Sequence, residues 1–198
     1  MITGTLLLLA AYLIGSIPFP ILVSRLVLGI DLRQHGSGNM GALNAGRVLG
    51  KRWFPVVFGL DLAKGAAATF LAMRFLPGSF DVSPTTAAAL GGLLVVAGHC
   101  FPVFAGFKGG VGLAASAGAL LILSPYILVC AGAAILVVWA LTRNMHVGVA
   151  GAAVLYPLLA WIILQEPAAV IVMALWGLLV LALHGGDVKA WWASRSRR

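Results

Sequence analysis

The sequence alternates long apolar stretches with short polar segments, a pattern that predicts helices crossing a membrane. An α-helix needs about twenty apolar residues to span a bilayer core, and fewer where two helices form a tight hairpin. Of the 198 residues, 62% are hydrophobic and 9% are charged, and the mean hydropathy is +1.07. A soluble domain of this length does not hide so much apolar surface, so the bilayer is the expected solvent. The predicted spans are 4–28, 53–76, 84–105, 111–124, 126–142, 147–164 and 167–184.

These spans predict an all-α membrane protein, a compact bundle of about seven transmembrane helices. Residues 1–198 are expected to form a single integral-membrane domain, because no linker separates the spans. Small residues such as those at 65–68 allow helices to approach closely in lipid. The division at Ser124-Pro125 depends on one proline, so six spans are the alternative.

The basic residues predict the orientation of the bundle. Thirteen Lys and Arg residues against five Asp and Glu residues give a formal net charge of +8. Most of them follow an odd number of spans, whereas Arg74 lies on the opposite side. Because positively charged loops face the cytoplasm, the amino terminus is predicted outside and the carboxyl terminus inside. The charge is attributed to topology, and no nucleic-acid partner is predicted. The cytoplasmic residues of this set are Arg25, Arg33, Arg47, Lys51, Arg52, Lys108, Arg143, Lys189, Arg195, Arg197 and Arg198.

The segment between the first two spans has the composition of an anion-binding loop. It contains Gly36-Ser37-Gly38-Asn39-Met40-Gly41, followed by Asn44 and Arg47. Glycines allow successive backbone N–H groups to turn toward one point without a Cβ penalty. Ser37 and Asn39 add side-chain donors, and Arg47 adds positive charge suited to a phosphate.

A second, shorter glycine loop follows the third span, at Phe107-Lys108-Gly109-Gly110-Val111-Gly112. The predicted topology places both loops on the cytoplasmic side. Two such loops indicate two phosphate-bearing ligands, or one ligand held at both ends.

Ionisable residues within or beside the spans are further candidates, because charges in a membrane need partners. Asp61 and Lys64 are three residues apart on one helical face, either as a structural ion pair or as part of a site. His99 precedes the second loop as a packing residue or as a base. His184 and Asp187, also three apart, could address one ligand or cap an interfacial helix end.

Other kinds of chemistry are not indicated. Cys100 and Cys130 lie in apolar surroundings without metal-ligand spacing, so neither a disulfide nor a metal site is predicted. No Ser/His/Asp set and no Walker loop is present. We therefore expect neither a metal nor a cofactor.

The motifs also keep a recognisable order and spacing. They are Gly36–Gly41, Asn44, Arg47, Asp61, Lys64-Gly65, Gly98-His99, Pro102-Val103-Phe104, Phe107-Lys108-Gly109-Gly110 and Gly112. This pattern resembles the bacterial acyl-phosphate:glycerol-3-phosphate acyltransferases, the PlsY family. The resemblance covers nearly the whole chain, is strong in the first two thirds and is weak after residue 142.

The resemblance implies a seven-span enzyme of the bacterial inner membrane with a cytoplasmic active site. Its partners would be acyl phosphate, glycerol 3-phosphate and the lipid bilayer, and its product lysophosphatidic acid. No acyl-enzyme intermediate is implied, because acyl phosphate is already activated. The implied catalytic residues are Ser37, Arg47, Lys108 and His184. The implied substrate-binding residues are Gly36, Gly38, Asn39, Gly41, Asn44, Gly109, Gly110, Gly112 and Asp187.

Several positions depart from the family pattern. Leu43 stands where the family has Thr, Val111 where it has the second Lys of the second loop, and Asp187 where it has Asn. His146 and Val149 occupy positions where the family has Ser. Lys108 is the candidate for the cation that Val111 does not supply. Two alternatives follow: a non-catalytic relative that binds phospholipid precursors, and a small organic-anion transporter.

Overall fold

Helices account for all the regular secondary structure in the computed structural model, which describes residues 1–195. Arg197 and Arg198, predicted to be cytoplasmic, lie outside the described residues. The chain forms two compact units, Met1–Leu123 and Ser124–Arg198. That both units belong to one domain stays a prediction.

The first unit carries both glycine loops, and the second carries His184. The helices of the first unit are α1 (Ile2–Gly15), α2 (Phe19–Leu28), α3 (Ala42–Val48), α4 (Trp53–Phe75), α5 (Pro84–Cys100) and α6 (Leu113–Leu123), with 3₁₀ turns at Leu32–Gln34 and Val103–Ala105. The helices of the second unit are α7 (Pro125–Thr142), α8 (Met145–Val154), α9 (Tyr156–Ile163) and α10 (Pro167–Arg195).

The predicted spans correspond to helical segments of the structure. Within residues 1–195, five stretches are long and apolar enough to cross a membrane, and α8 with α9 forms a sixth that bends by 44°. The 11 residues of α6 reach only about 16 Å at 1.5 Å per residue, against a hydrocarbon core of about 30 Å. The all-α membrane class is confirmed, whereas the number of crossings and the orientation stay predictions. The five stretches are Ile2–Leu28, Trp53–Phe75, Pro84–Ala105, Pro125–Thr142 and Pro167–Arg195.

A buried ionic cluster stabilises the break between α1 and α2. Lys64 Nζ lies 2.9 Å from Asp61 Oδ1 and donates to the Ile17 carbonyl at 2.9 Å. That carbonyl lies at the break, where Pro18 has no N–H to continue the helix. His99 Nδ1 lies 3.4 Å from the same Asp61 oxygen. The ion pair that the sequence spacing indicates is therefore present, and it connects α4 with the first span and with the end of α5.

Small residues bring α4 and α6 into direct backbone contact. A Cβ at Gly65 would overlap the backbone of Ala115, and a Cβ at Gly118 would overlap the carbonyl of Leu62. Such close approach is the role that small residues play in membrane helix pairs. The two helices therefore pack with their backbones in contact within the first unit.

In the second unit, side-chain caps mark where helices begin. Ser124 caps α7 through the N–H of Ile127, at 3.4 Å, so the predicted division at Ser124-Pro125 coincides with a helix boundary. Asn144 Oδ1 accepts from the N–H groups of His146 and Val147, at 2.9 and 3.3 Å, at the start of α8. Both caps satisfy donors that a helix start leaves free.

Candidate active site

The first glycine loop runs from the 3₁₀ turn at Leu32–Gln34 to α3. Gly36 and Gly38 have φ values of +62° and +72°, a left-handed conformation that side chains with a Cβ rarely adopt. A Cβ at Gly36 would also meet the side chain of Asn44. Glycine is therefore required at both positions for backbone reasons.

Asn44 holds this loop together from the inside. Its side chain is 1% exposed, and its Oδ1 accepts from the N–H of Ser37 at 2.9 Å. Its Nδ2 donates to the carbonyls of His35 and Asn39, each at 3.0 Å, and of Leu32 at 3.4 Å. The amide is thus fully used by the loop, which indicates a positioning role rather than direct contact with a ligand.

Two other polar residues of this segment are accessible. Ser37 and Arg47 are exposed, with Arg47 in the last turn of α3. Asn39 is half-buried, and its Oδ1 is shielded from solvent and has no hydrogen-bond partner among residues 1–195. Gly41 caps α3 in an extended conformation. The segment therefore presents the Ser37 hydroxyl and the Arg47 guanidinium to a ligand.

The second glycine loop uses its backbone differently from the first. The N–H groups of Gly109 and Gly110 donate to the carbonyls of Cys100 and His99, at 3.1 and 3.3 Å. These bonds satisfy carbonyls at the end of α5, so the two N–H groups are not free for an anion. Gly112 has a φ of +79°. Lys108 is exposed and is the charged group that this loop offers.

A polar cavity of about 480 Å³ joins the two glycine loops. Gly38 comes from the first loop, and Lys108 and Gly109 from the second. The cavity has room for a small phosphate ester such as a phosphorylated triol. The structure thus brings together residues that the sequence analysis placed in separate loops. The full lining is Asp31, Arg33, Gln34, Gly38, Met40, Lys108 and Gly109.

The sequence analysis assigned no site role to Arg33 or Asp31, yet both line this cavity. Arg33 Nε and Nη2 donate to the two oxygens of the Asp31 carboxylate, at 3.0 and 2.7 Å. The Arg33 hydrogen bond lowers the pKa of Asp31 to about 2, so the carboxylate is ionised near neutral pH. The signal available in the sequence was an acidic and a basic residue, Asp31 and Arg33, two positions apart and shortly before Gly36.

A second cavity, of about 360 Å³, lies beside α2. Arg33 belongs to its wall as well as to that of the polar cavity. Most of the remaining wall is apolar. The lining is Ile17, Pro18, Ile21, Leu22, Arg25, Arg33, Phe104 and Ala105.

In the second unit, His184 and Asp187, expected from the sequence to address one ligand or to cap a helix end, contact different groups. His184 is 1% exposed, and its Nδ1 lies 2.9 Å from the Val180 carbonyl. Asp187 Oδ2 instead lies 3.3 Å from His146 Nδ1, and the rings of His146 and His184 are 5.4 Å apart. Since α10 continues to Arg195, His184 lies within a helix and not at its end.

A family model matches nearly the whole chain and shows to which protein family it belongs. The model described as "Glycerol-3-phosphate acyltransferase" matches residues 5–194. The chain belongs to this family. It is 38% identical over 189 residues to the glycerol-3-phosphate acyltransferase of Bacillus subtilis, covering 93% of this chain and 91% of that protein. It is 44% identical over 148 residues to the enzyme of the same name from Geobacillus kaustophilus, covering 75% and 72%.

Two solved structures share the fold of this family member. One is the glycerol 3-phosphate form of PlsY (YgiH), an integral membrane glycerol 3-phosphate acyltransferase. It has a TM-score of 0.83 and 30% identity, covering 98% of this chain and 94% of that chain. The lysophosphatidic acid form of PlsY also has a TM-score of 0.83, at 29% identity, covering 98% and 93%.

The loop geometry predicts that Asn44→Asp is strongly destabilising. The substitution keeps the Oδ1 acceptor but replaces the Nδ2 donor by a carboxylate oxygen. That buried oxygen would face the backbone carbonyls to which Nδ2 donates in the parent. We expect unfolding free energy to fall by at least about 2 kcal/mol, the scale for leaving buried polar groups unpaired. Thermal unfolding of the purified protein in detergent measures this.

Asn144→Asp is the matched control for that substitution. Among residues 1–195, the side chain of Asn144 bonds only through its Oδ1 acceptor, and a carboxylate suits a helix start. Its unfolding temperature should match that of the parent. Equal unfolding temperatures for Asn44→Asp and the parent would contradict the role given to Asn44.

Proposed function

We propose that this chain transfers a fatty acyl group from acyl phosphate to a hydroxyl of glycerol 3-phosphate, giving lysophosphatidic acid. The observation that carries the proposal is the polar cavity shared by the two glycine loops, in a chain of the glycerol-3-phosphate acyltransferase family. Acyl phosphate as the donor and the residue roles below are the further parts of the proposal.

The phosphate of glycerol 3-phosphate would lie in the polar cavity between Gly38 and Lys108. The left-handed glycine allows the backbone to approach an anion closely. Lys108 supplies a full positive charge from the opposite loop, whereas Ser37 and Arg47 are exposed donors that do not line this cavity.

The reaction needs alignment more than a protein nucleophile. A hydroxyl oxygen of glycerol 3-phosphate attacks the acyl carbonyl carbon, and the bond from that carbon to the phosphate oxygen breaks. The phosphate leaves with the electron pair and takes the proton of the hydroxyl, so atoms and charge balance. The protein contributes by holding the two substrates together and by stabilising the oxyanion that develops.

Lys108 is the proposed source of the charge that other family members draw from the position of Val111. Val111 is half-buried and apolar, whereas Lys108 is exposed and lines the cavity. A positive charge at the cavity would favour phosphate binding and the developing oxyanion alike. The proposed part of His184 and Asp187 in holding the acceptor rests on the family resemblance.

We also propose that the protein lies in the bacterial inner membrane with its amino terminus outside and both glycine loops in the cytoplasm. The asymmetry of the basic residues supports this orientation. A cytoplasmic site would meet glycerol 3-phosphate, a charged and water-soluble acceptor, directly from the aqueous phase.

An assay with purified protein tests the proposed reaction. Given acyl phosphate and labelled glycerol 3-phosphate, the parent should form labelled lysophosphatidic acid. Lys108→Ala should lower the rate at least about a hundredfold, as expected for loss of one key electrostatic group. Val111→Lys should keep or raise it. Lys51→Ala, which removes an exposed lysine outside the cavity, is the control and should match the parent.

The outcomes of this assay separate the candidate functions. A Lys108→Ala variant as active as the parent would contradict the role of Lys108. An inactive parent combined with an active Val111→Lys variant would identify a non-catalytic relative. Inactivity of both would contradict the proposed reaction.

The orientation is tested by labelling single cysteines from either side of the membrane, after Cys100 and Cys130 are replaced. Cysteines introduced at Gln34 and at Phe107, both exposed and both outside the apolar spans, should react with an impermeant reagent only from the cytoplasmic side. Labelling of the two positions from opposite sides would contradict the shared cytoplasmic site.

A further inference from the structure

Arg33 connects the segment before the first glycine loop with the segment before the second. Besides its two bonds to Asp31, it donates from Nη1 to the carbonyl oxygen of Ala105, at 3.0 Å. Ala105 is 72 residues away in sequence and ends the 3₁₀ turn that leads to Lys108. A single guanidinium is therefore bonded to the approaches of both loops.

The charge of Arg33 is largely balanced within this cluster. The Asp31 carboxylate accepts from Nε, from Nη2 and also from the backbone N–H of Arg33, at 3.0 Å. Arg25 Nη2 lies 3.7 Å from the same carboxylate, but its side chain is 61% exposed. Arg33 is thus committed to Asp31, while Lys108 across the cavity remains the exposed cation.

The shape of arginine explains why this residue suits the position. Its planar group donates in several fixed directions, so it can bind a carboxylate with two parallel bonds and a carbonyl with a third. A lysine would keep the charge but would present a single ammonium on a flexible stem. Replacing Arg33 by lysine would therefore keep the charge balance but would make the distance between the two segments less well fixed.

We infer that Arg33 is a positioning residue that sets the distance between Gly38 and Lys108 across the polar cavity. This inference rests on the function proposed above, in which that cavity holds the phosphate of glycerol 3-phosphate. Arg33 acts through the loops that it joins, and Asp31 fixes the direction of its guanidinium.

The decisive readout is the KM for glycerol 3-phosphate in Arg33→Lys. A wider or less ordered cavity should raise this KM about tenfold or more, the change that a loss of about 1.4 kcal/mol of binding free energy produces. If the substitution only lowered the fraction of folded protein, the apparent kcat would fall and the KM would equal that of the parent. Arg74→Lys, which changes an exposed arginine of α4 away from the cavity, is the matched control and should keep both constants.

A second variant ensures that a folding defect of Arg33→Lys alone does not decide the outcome. Asp31→Asn removes the carboxylate that directs Arg33 and should raise the same KM. The double variant should raise it no further than the larger single effect, because both changes break one unit. A KM equal to that of the parent in both single variants would overturn the inference.

A distance measurement separates failure of this inference from failure of the proposed function. Spin labels on cysteines at Gln34 and Val103, with Cys100 and Cys130 replaced, report the spacing of the two segments without any substrate. We expect one narrow distance distribution in the parent and a broader or shifted one in Arg33→Lys. If the parent transfers no acyl group, the proposed function fails, and this measurement still decides the inference: unchanged distributions would overturn it.

Discussion

The constraint on which this structure depends is that backbone polar groups near a bilayer must find partners inside the protein. An unpaired N–H or C=O in hydrocarbon costs several kcal/mol, which is why irregular backbone is rare at that depth. Here two irregular loops lie at the ends of membrane helices. One is satisfied from within by the Asn44 amide, and the other by carbonyls at the end of α5. Hydrogen bonds within the protein thus order both loops.

Loops ordered by internal hydrogen bonds suit the proposed chemistry. The proposed donor, acyl phosphate, is already activated, so alignment and charge from the loops contribute more than a nucleophile would. The buried cluster of Lys64, Asp61 and His99 also stabilises the helix ends that carry the loops. It connects the break of the first span to the end of α5. Arg33 and Asp31 add the connection between the loops themselves.

Local signals in the sequence were sufficient for the helices and for the first loop, and insufficient for partnerships between distant residues. Apolar length predicted the spans, one proline marked the start of α7, and glycines marked the left-handed turns at Gly36 and Gly38. Spacing could not show that the N–H groups of Gly109 and Gly110 donate to carbonyls at the end of α5, because those hydrogen bonds depend on tertiary packing. For the same reason it directed Asp187 and His184 to one ligand, whereas the structure places the Asp187 carboxylate beside His146 on another helix.

An experimental structure of the protein with glycerol 3-phosphate bound is the most direct test of the polar cavity as the acceptor site. The phosphate should lie in the polar cavity, within hydrogen-bonding distance of Lys108 Nζ and against the backbone of Gly38, whose own N–H donates to the His35 carbonyl at 3.1 Å. Arg33 should keep its bonds to Asp31 and Ala105 in that complex. A phosphate bound elsewhere, with the cavity between the two glycine loops empty, would contradict the central claim.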